Sequence, residues 1–372
     1  MYSVSNYAIM IADAVRMNAY ADALRRSVNA HSVVADLGAG TGAFALLACQ
    51  FGARKVYAIE PDDAIHLGQA IAAASGLADR IEFVQAVSTD AVLPERADII
   101  VSDIRGVLPL FGRHIPSIAD ARRRLLAESG VLIPRCDRLW GAIVEAPDVY
   151  ESHVAPWRDR TYGFDLRPAR DMLANTWRKV RLTPDQLLSD SQRLAVLDYR
   201  ELENPNLDVE ATWAARRAGT GHGLCVWFDA ELTGHDGFSN APGEPAAIYG
   251  QAFFPFAVPA SLGADDSISV RIRADLVGDQ YMWQWSSSAG VTQSTLHGVP
   301  LGVNRLRKGA SSHVPALTED GEIELFILSR MQAAAPLGDI ARELLSRFPA
   351  ALRDWNVALG RVGELARKYS KD

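Results

Sequence analysis

Gly38, Gly40 and Gly42 occupy alternate positions directly after the apolar run Val33-Val34-Ala35-Asp36-Leu37 and directly before a helical segment that opens at Ala43. Glycine adopts positive φ without strain and carries no Cβ, so a strand-to-helix turn built this way lets backbone approach a ligand closely. The same rhythm continues downstream. Lys55 to Ile59, Ile81 to Val84 and Ala97 to Val101 read as further strands, and Ala43 to Phe51, Asp63 to Ser75 and Ile115 to Ala127 as the helices between them. Alternation of this kind predicts a parallel, doubly wound α/β sheet, with Gly130 to Pro134 as one more strand near its end. Taken alone, the glycine turn points only to a nucleotide-like cofactor.

With 372 residues, the chain is too long for one ordinary hydrophobic core and long enough for two or three domains. A helix is expected over residues 7–28, from the spacing of Ile9, Ile11, Val15, Ala19 and Leu24. From Leu139 to Ser288 the texture becomes β: Leu139 to Val144, Gly223 to Ala230, Ala246 to Phe256 and Ser267 to Leu276 are strand-like and separated by turn residues. The last sixty or so residues are helical again. The expected organisation is an N-terminal helix or lid (1–30), a Rossmann-like domain (31–138), a mostly β, barrel-like domain (139–305) and a small helical domain (306–372).

Two details favour adenosylmethionine as the cofactor. The run Asp36-Leu37-Gly38-Ala39-Gly40-Thr41-Gly42 resembles the first motif of class I methyltransferases, in which an acidic residue ends the first strand. Glu60 ends the second strand, placed for its carboxylate to accept hydrogen bonds from two ribose hydroxyls. A third element is expected after the third strand, where Ser88, Thr89 or Asp90 could address the adenine.

Three further segments resemble the protein arginine methyltransferases. Met10 to Tyr20 is similar to that family's Met-Leu-x-Asp-x-x-Arg-x-x-x-Tyr helix, Phe51 to Glu60 to its second strand, and Leu93 to Ser102 to its Leu-Pro-x-x-x-Asp-Ile-Ile-x-Ser run. Tyr162-Gly163-Phe164-Asp165 after Trp157 recurs in the family's second domain. The likeness covers roughly residues 7–285 and implies a Rossmann-like domain followed by a β-barrel. It also implies that Arg16 pairs with the methionine carboxylate of the cofactor, and that Asp13 supports the active site with its usual partner missing.

The acceptor loop departs from the family. There, two glutamates on a loop opening Ser-Glu-Trp-Met-Gly hold the substrate guanidinium. Here the loop runs from Ser102 to His114, with Asp103 at the first glutamate position and Gly112 beside Arg113 at the second. A guanidinium stays protonated and prefers bidentate carboxylates. The family's Thr-His-Trp loop is replaced by Ile248-Tyr249-Gly250-Gln251-Ala252-Phe253. The expected activity is therefore methyl transfer to an N or O acceptor other than protein arginine. Arg105 or Arg113 would hold an anionic group, and Asp103 or His114 would take a proton. The alternative is a cofactor-binding scaffold or peptide-binding protein.

Glu322 to Tyr369 resembles the small winged-helix-like domain of the peptide chaperone in pyrroloquinoline quinone biosynthesis, which implies a peptide-binding groove and strand edge. A small-molecule or peptide acceptor and, by resemblance, a homodimer are the expected partners. The net charge of −7 gives no general attraction to nucleic acid. Cys49, Cys136 and Cys225 are too scattered for disulfides or zinc, and no metal is expected. No signal peptide or membrane-length apolar stretch is visible, so a cytoplasmic location is expected.

Overall fold

The computed structural model describes residues 3–370 except 155, 156, 158, 159, 162, 289, 301, 303–306 and 309. The motif residue Tyr162 and the expected domain boundary at 305/306 lie outside the described residues. The chain forms two compact units, Met1–Pro300 and Leu301–Asp372.

The first unit opens with two helices where the periodicity predicts one. α1 (Val4–Ala12) and α2 (Ala14–Ser27) meet at Asp13, whose extended backbone (φ −70°, ψ 91°) and side chain cap α2 by accepting the Arg16 amide. Aspartate competes with the helix for backbone donors and so favours this position over a helix interior. Five strands then form a parallel sheet in the order β3-β2-β1-β4-β5: β1 (Val33–Leu37), β2 (Lys55–Ile59), β3 (Ile81–Val84), β4 (Ala97–Ser102) and β5 (Leu126–Ile133). The connecting helices are α3 (Ala43–Gln50), α4 (Ala64–Ala74) and α5 (His114–Arg124). α5 stops three residues before the expected Ala127, and β5 begins at Leu126 rather than Gly130, because Leu126 already pairs with Ala97 of β4.

This order places the topological switch point between β1 and β4, where ligands bind beyond the carboxyl ends of the strands in open α/β sheets. β1 is buried along its whole length, as a central parallel strand must be.

From β6 (Cys136–Val144) the chain is antiparallel. One sheet runs β10-β6-β12-β14-β9, with β9 (Arg178–Val180), β10 (Gln192–Asp198), β12 (Gly219–Glu231) and β14 (Gln251–Leu262); β13 (Gly237–Ser239) pairs with the end of β12. The other runs β11-β15-β16-β17, with β11 (Leu207–Ala214), β15 (Ser267–Val277), β16 (Gln280–Ser287) and β17 (Gln293–Ser294). The chain between β6 and β9 carries α6 (Pro147–Val154), the short pair β7 (Arg160–Thr161) and β8 (Phe164–Asp165), and α7 (Arg167–Leu173).

Ile268, Val270, Ile272 and Ala274 of β15 are buried, while Arg271 and Arg273 face solvent, the expected period of two. Trp213 and Trp285 anchor the core, and their indole N–H groups donate to the carbonyls of Gly141 (3.0 Å) and Pro255 (2.8 Å).

The second unit packs α8 (Glu319–Gln332), α9 (Leu337–Arg347) and α10 (Trp355–Tyr369) around Ile323, Ile327, Ile340, Leu344, Ala358 and Val362. Among its described residues there is no strand, so the winged-helix-like edge implied by resemblance is not found there. Leu337, Trp355 and Tyr369, placed by periodicity on the apolar stripes, are exposed.

The two faces of β15 should differ in their tolerance to truncation. Ile272→Ala should cost about 2–5 kcal/mol of unfolding free energy, and Arg271→Ala, which loses only an exposed pair with Asp208, less than about 1 kcal/mol. Equal losses in urea titrations would contradict this register.

Candidate active site

Three loops converge at the carboxyl ends of β1, β2 and β4. At the first, Gly38, Gly40 and Gly42 have φ of +69°, +53° and +78°, and Gly42 caps α3. A Cβ on Gly38 would lie 2.3 Å from the Ile104 side chain, and one on Gly40 would lie 2.6 Å from the Tyr7 ring of α1. These two glycines thus meet both a conformational and a steric demand. Glu60 follows β2. Its two oxygens accept from the amides of Gly40 and Asp62, each at 2.9 Å, which leaves further lone pairs on both.

Asp36, near the end of β1, is sealed from solvent. Its Oδ2 accepts the Ala45 amide at 2.9 Å, and its Oδ1 has no partner among the described residues. Burial pushes this carboxyl up to about 7, with the Glu60 carboxylate adding to the rise and the Ala45 amide opposing it. Ser88 and Thr89 lie beyond β3. The Ser88 carbonyl accepts from Arg124 at 2.8 Å, and the Thr89 hydroxyl faces Asp90 at 3.4 Å.

The loop after β4 is where the charges meet. Asp103 has a buried carboxylate engaged by three groups: the Arg16 Nε, the Arg105 Nε at 3.1 Å and the Tyr249 hydroxyl at 2.5 Å. Burial alone would raise it, but Arg16 and Arg105 beside it hold it down at about 2. Arg105 itself is fully enclosed. It bonds Asp137 of β6 at 2.7 Å and the Tyr20 hydroxyl of α2 at 2.5 Å, and the rings of Tyr20, Phe228, Phe238 and Tyr249 surround it at 5.2–5.9 Å.

Asp137 takes a second bond from the Tyr199 hydroxyl at 2.6 Å, and that hydroxyl stands 2.9 Å from His114 Nε2. His114, at the start of α5, is 1% exposed, and its Nδ1 has no partner among the described residues. Burial, and then the nearby Arg105 cation, drives its pKa down to about 3, so it stays neutral. Asp103 and His114, paired in the sequence reading as proton acceptors, therefore stand in different settings: the first ionised and engaged, the second neutral and sealed behind Tyr199. Gly112 lies in the left-handed region (φ +47°), and Arg113 is exposed; its carbonyl accepts the Ser117 amide at 2.9 Å, and its guanidinium has no ion pair or hydrogen bond among the described residues.

Arg16 also donates Nη1 to the Met10 carbonyl at 3.2 Å, and its guanidinium lies 4.9 Å from the Phe44 ring. The partner of Asp13 is a backbone group: its Oδ2 accepts the Ile248 amide at 2.7 Å. Tyr20, Asp137, Tyr199 and the Tyr249 hydroxyl were not singled out by sequence. Only Tyr20 carried a signal, as the closing residue of the Met10–Tyr20 helix.

Two family models, both of methyltransferases, match successive parts of the chain. The family model for the arginine methyltransferase oligomerization subdomain matches residues 138–291, and that for ribosomal protein L11 methyltransferase matches residues 20–143. Protein arginine N-methyltransferase 6 of Xenopus tropicalis is 31% identical over 245 residues, 63% of this chain and 72% of that relative. Protein arginine N-methyltransferase PRMT10 of Oryza sativa subsp. japonica is 39% identical over 141 residues, 37% of each chain. Among solved structures, the Trypanosoma brucei PRMT1 enzyme-prozyme heterotetramer with AdoHcy superposes with a TM-score of 0.73 at 20% identity, covering 78% of this chain and 98% of that one. Arabidopsis thaliana protein arginine methyltransferase 10 gives 0.67 at 21% identity, over 78% and 96%.

Two measurements probe this geometry. Glu60→Ala and Gly40→Val should each weaken adenosylhomocysteine binding at least about tenfold in calorimetry, ~1.4 kcal/mol; unchanged affinity would place the cofactor elsewhere. Asp36 holds a proton in the ligand-free folded state that the unfolded chain releases near its ordinary carboxylate value of about 4. Its contribution to stability is therefore lost as pH rises from about 4 to about 7. The melting temperature of Asp36→Asn relative to wild type should rise across that window, and parallel curves would contradict the buried, proton-holding carboxyl.

Proposed function

The chain belongs to the protein arginine methyltransferase family, and we propose that it methylates a nitrogen or oxygen acceptor other than protein arginine. It is an adenosylmethionine-dependent methyltransferase. When bound, that cofactor supplies a methyl group on a sulfonium, open to in-line displacement. The residues present fit it. The Gly38–Gly42 turn offers a cradle without Cβ atoms, Glu60 has lone pairs for ribose hydroxyls, and Asp36 Oδ1 is a buried acceptor without a partner. Arg16 Nη2, without a hydrogen-bond partner among the described residues, is the group left for the methionine carboxylate.

One observation carries the choice of acceptor: Asp103 is already engaged by two guanidinium groups and a hydroxyl, which take three of its roughly four lone-pair sites. An incoming arginine side chain would bring a third guanidinium to a carboxylate with too few free lone pairs for a bidentate grip. At Gly112, the position of the family's second glutamate, there is no side chain at all.

A second reading, a cofactor-binding subunit without turnover, is favoured by the commitment of Arg16 to Asp103. The Trypanosoma brucei neighbour is itself an assembly of an enzyme with a prozyme. On the same footing, the match to an oligomerization subdomain supports self-association, with a homodimer as our reading.

Methyl-labelled adenosylmethionine tests the proposal against an Arg-Gly-rich peptide and an extract of the source cells in parallel. The expected result is label in an extract component and none in the peptide. A labelled peptide would overturn the acceptor assignment, and cofactor binding without any product would favour the subunit reading.

A further inference from the structure

We propose that the acceptor is a carboxylate, methylated as the anion with no proton acceptor supplied by the protein. This rests on the preceding reading that the acceptor is not arginine. Methyl transfer to a neutral N–H or O–H releases a proton that some group must take. The buried titratable groups packed around the acceptor loop are closed to that task. Asp103 is engaged by Arg16, Arg105 and Tyr249. Asp137 is enclosed between Arg105 and Tyr199, and Asp13 between two backbone amides. His114 faces Tyr199 inside the fold. The Tyr20 and Tyr249 hydroxyls spend their protons on the Ser102 carbonyl and Asp103, and burial raises both phenols further from ionisation.

The charge balance points the same way. Arg16 and Arg105 are neutralised by Asp103 and Asp137, so the cluster is neutral in itself. Bound adenosylmethionine brings one net positive charge, its ammonium and carboxylate cancelling and its sulfonium remaining. The sulfonium attracts an anionic acceptor and repels a cationic one. On the same loop, the exposed guanidinium of Arg113 has no hydrogen-bond or ion-pair partner among the described residues and is suited to hold a carboxylate by charge-assisted bonds. Phe111, two residues before it, is 48% exposed, which suits an acid with an apolar body.

The step balances without a base. A carboxylate oxygen lone pair forms the new C–O bond, and the C–S bond breaks with its electron pair passing to sulfur. The positive and negative charges cancel, leaving a methyl ester and the thioether of adenosylhomocysteine. No proton moves.

The chemistry of the new bond gives the test. The full-length protein is incubated with tritiated adenosylmethionine and an extract of the source cells, and the products are brought to alkaline pH. Label released as volatile methanol is expected, since methyl esters hydrolyse in base and N-methyl, ether and thioether groups do not. Arg113→Gln should lower ester formation at least about tenfold at sub-saturating acceptor through KM, and Arg113→Lys should recover part of it. Base-stable label would overturn the carboxylate while leaving methyl transfer to a non-arginine acceptor intact. Absence of any labelled product, with adenosylhomocysteine still bound in calorimetry, would overturn both.

Discussion

The acceptor side of the molecule hangs on the buried guanidinium of Arg105. Its Nε reaches back to Asp103 on the loop after β4, its Nη1 crosses to Asp137 on β6, and its Nη2 meets Tyr20 on α2. Three elements from distant parts of the chain are thereby held by one side chain. Burying a cation is costly unless its donors are matched by acceptors, and removing one partner of a buried pair typically costs about 3–5 kcal/mol because the other charge is stranded. Here two cations and two anions close on each other, with tyrosine hydroxyls taking the remaining lone pairs. Such an arrangement resists partial opening, and a ligand that needed Asp103 would have to displace an internal partner of its own chemical kind.

Donor and acceptor sides are consequently built on different principles. Around Gly38–Gly42, backbone does the work: positive φ angles, amides directed to Glu60, and a carboxyl on Asp36 with one oxygen unused. Such a site has capacity left for a ligand. Around Asp103, most of the capacity is used within the protein. In this chain the carboxylate of Asp103 is held from inside by Arg16, Arg105 and Tyr249.

How much of this was legible in the sequence follows the range of the interactions. The alternating strands and the glycine turn rest on local pattern, and β1 to β4 lie where pattern put them, while β5 starts four residues early because Leu126 pairs with Ala97. Asp36 and Glu60 stand at strand ends for the same reason. The break at Asp13 was missed because the periodicity of residues 7–28 continues across it, while the capping and the bond to Ile248 depend on a partner 235 residues away. Arg105 and Arg113 look alike in sequence. Only Asp137, 32 residues on, and Tyr249, 146 residues from Asp103, separate the sealed cation from the exposed one. His114 carries no sequence mark of its burial behind Tyr199. The strand edge implied for the C-terminal unit rested on resemblance alone, and three helices stand among its described residues.

The central claim is that Asp103 is permanently engaged from within, and its carboxyl carbon reports this directly. A 13C NMR titration of Asp103 in the adenosylhomocysteine complex should show no ionisation between about pH 8 and 4, consistent with a carboxyl held at about 2. The same signal should not move when methylguanidinium is added. A carboxyl that titrates within that range, or shifts with added guanidinium, would show Asp103 to be available to an arginine acceptor and would contradict the account.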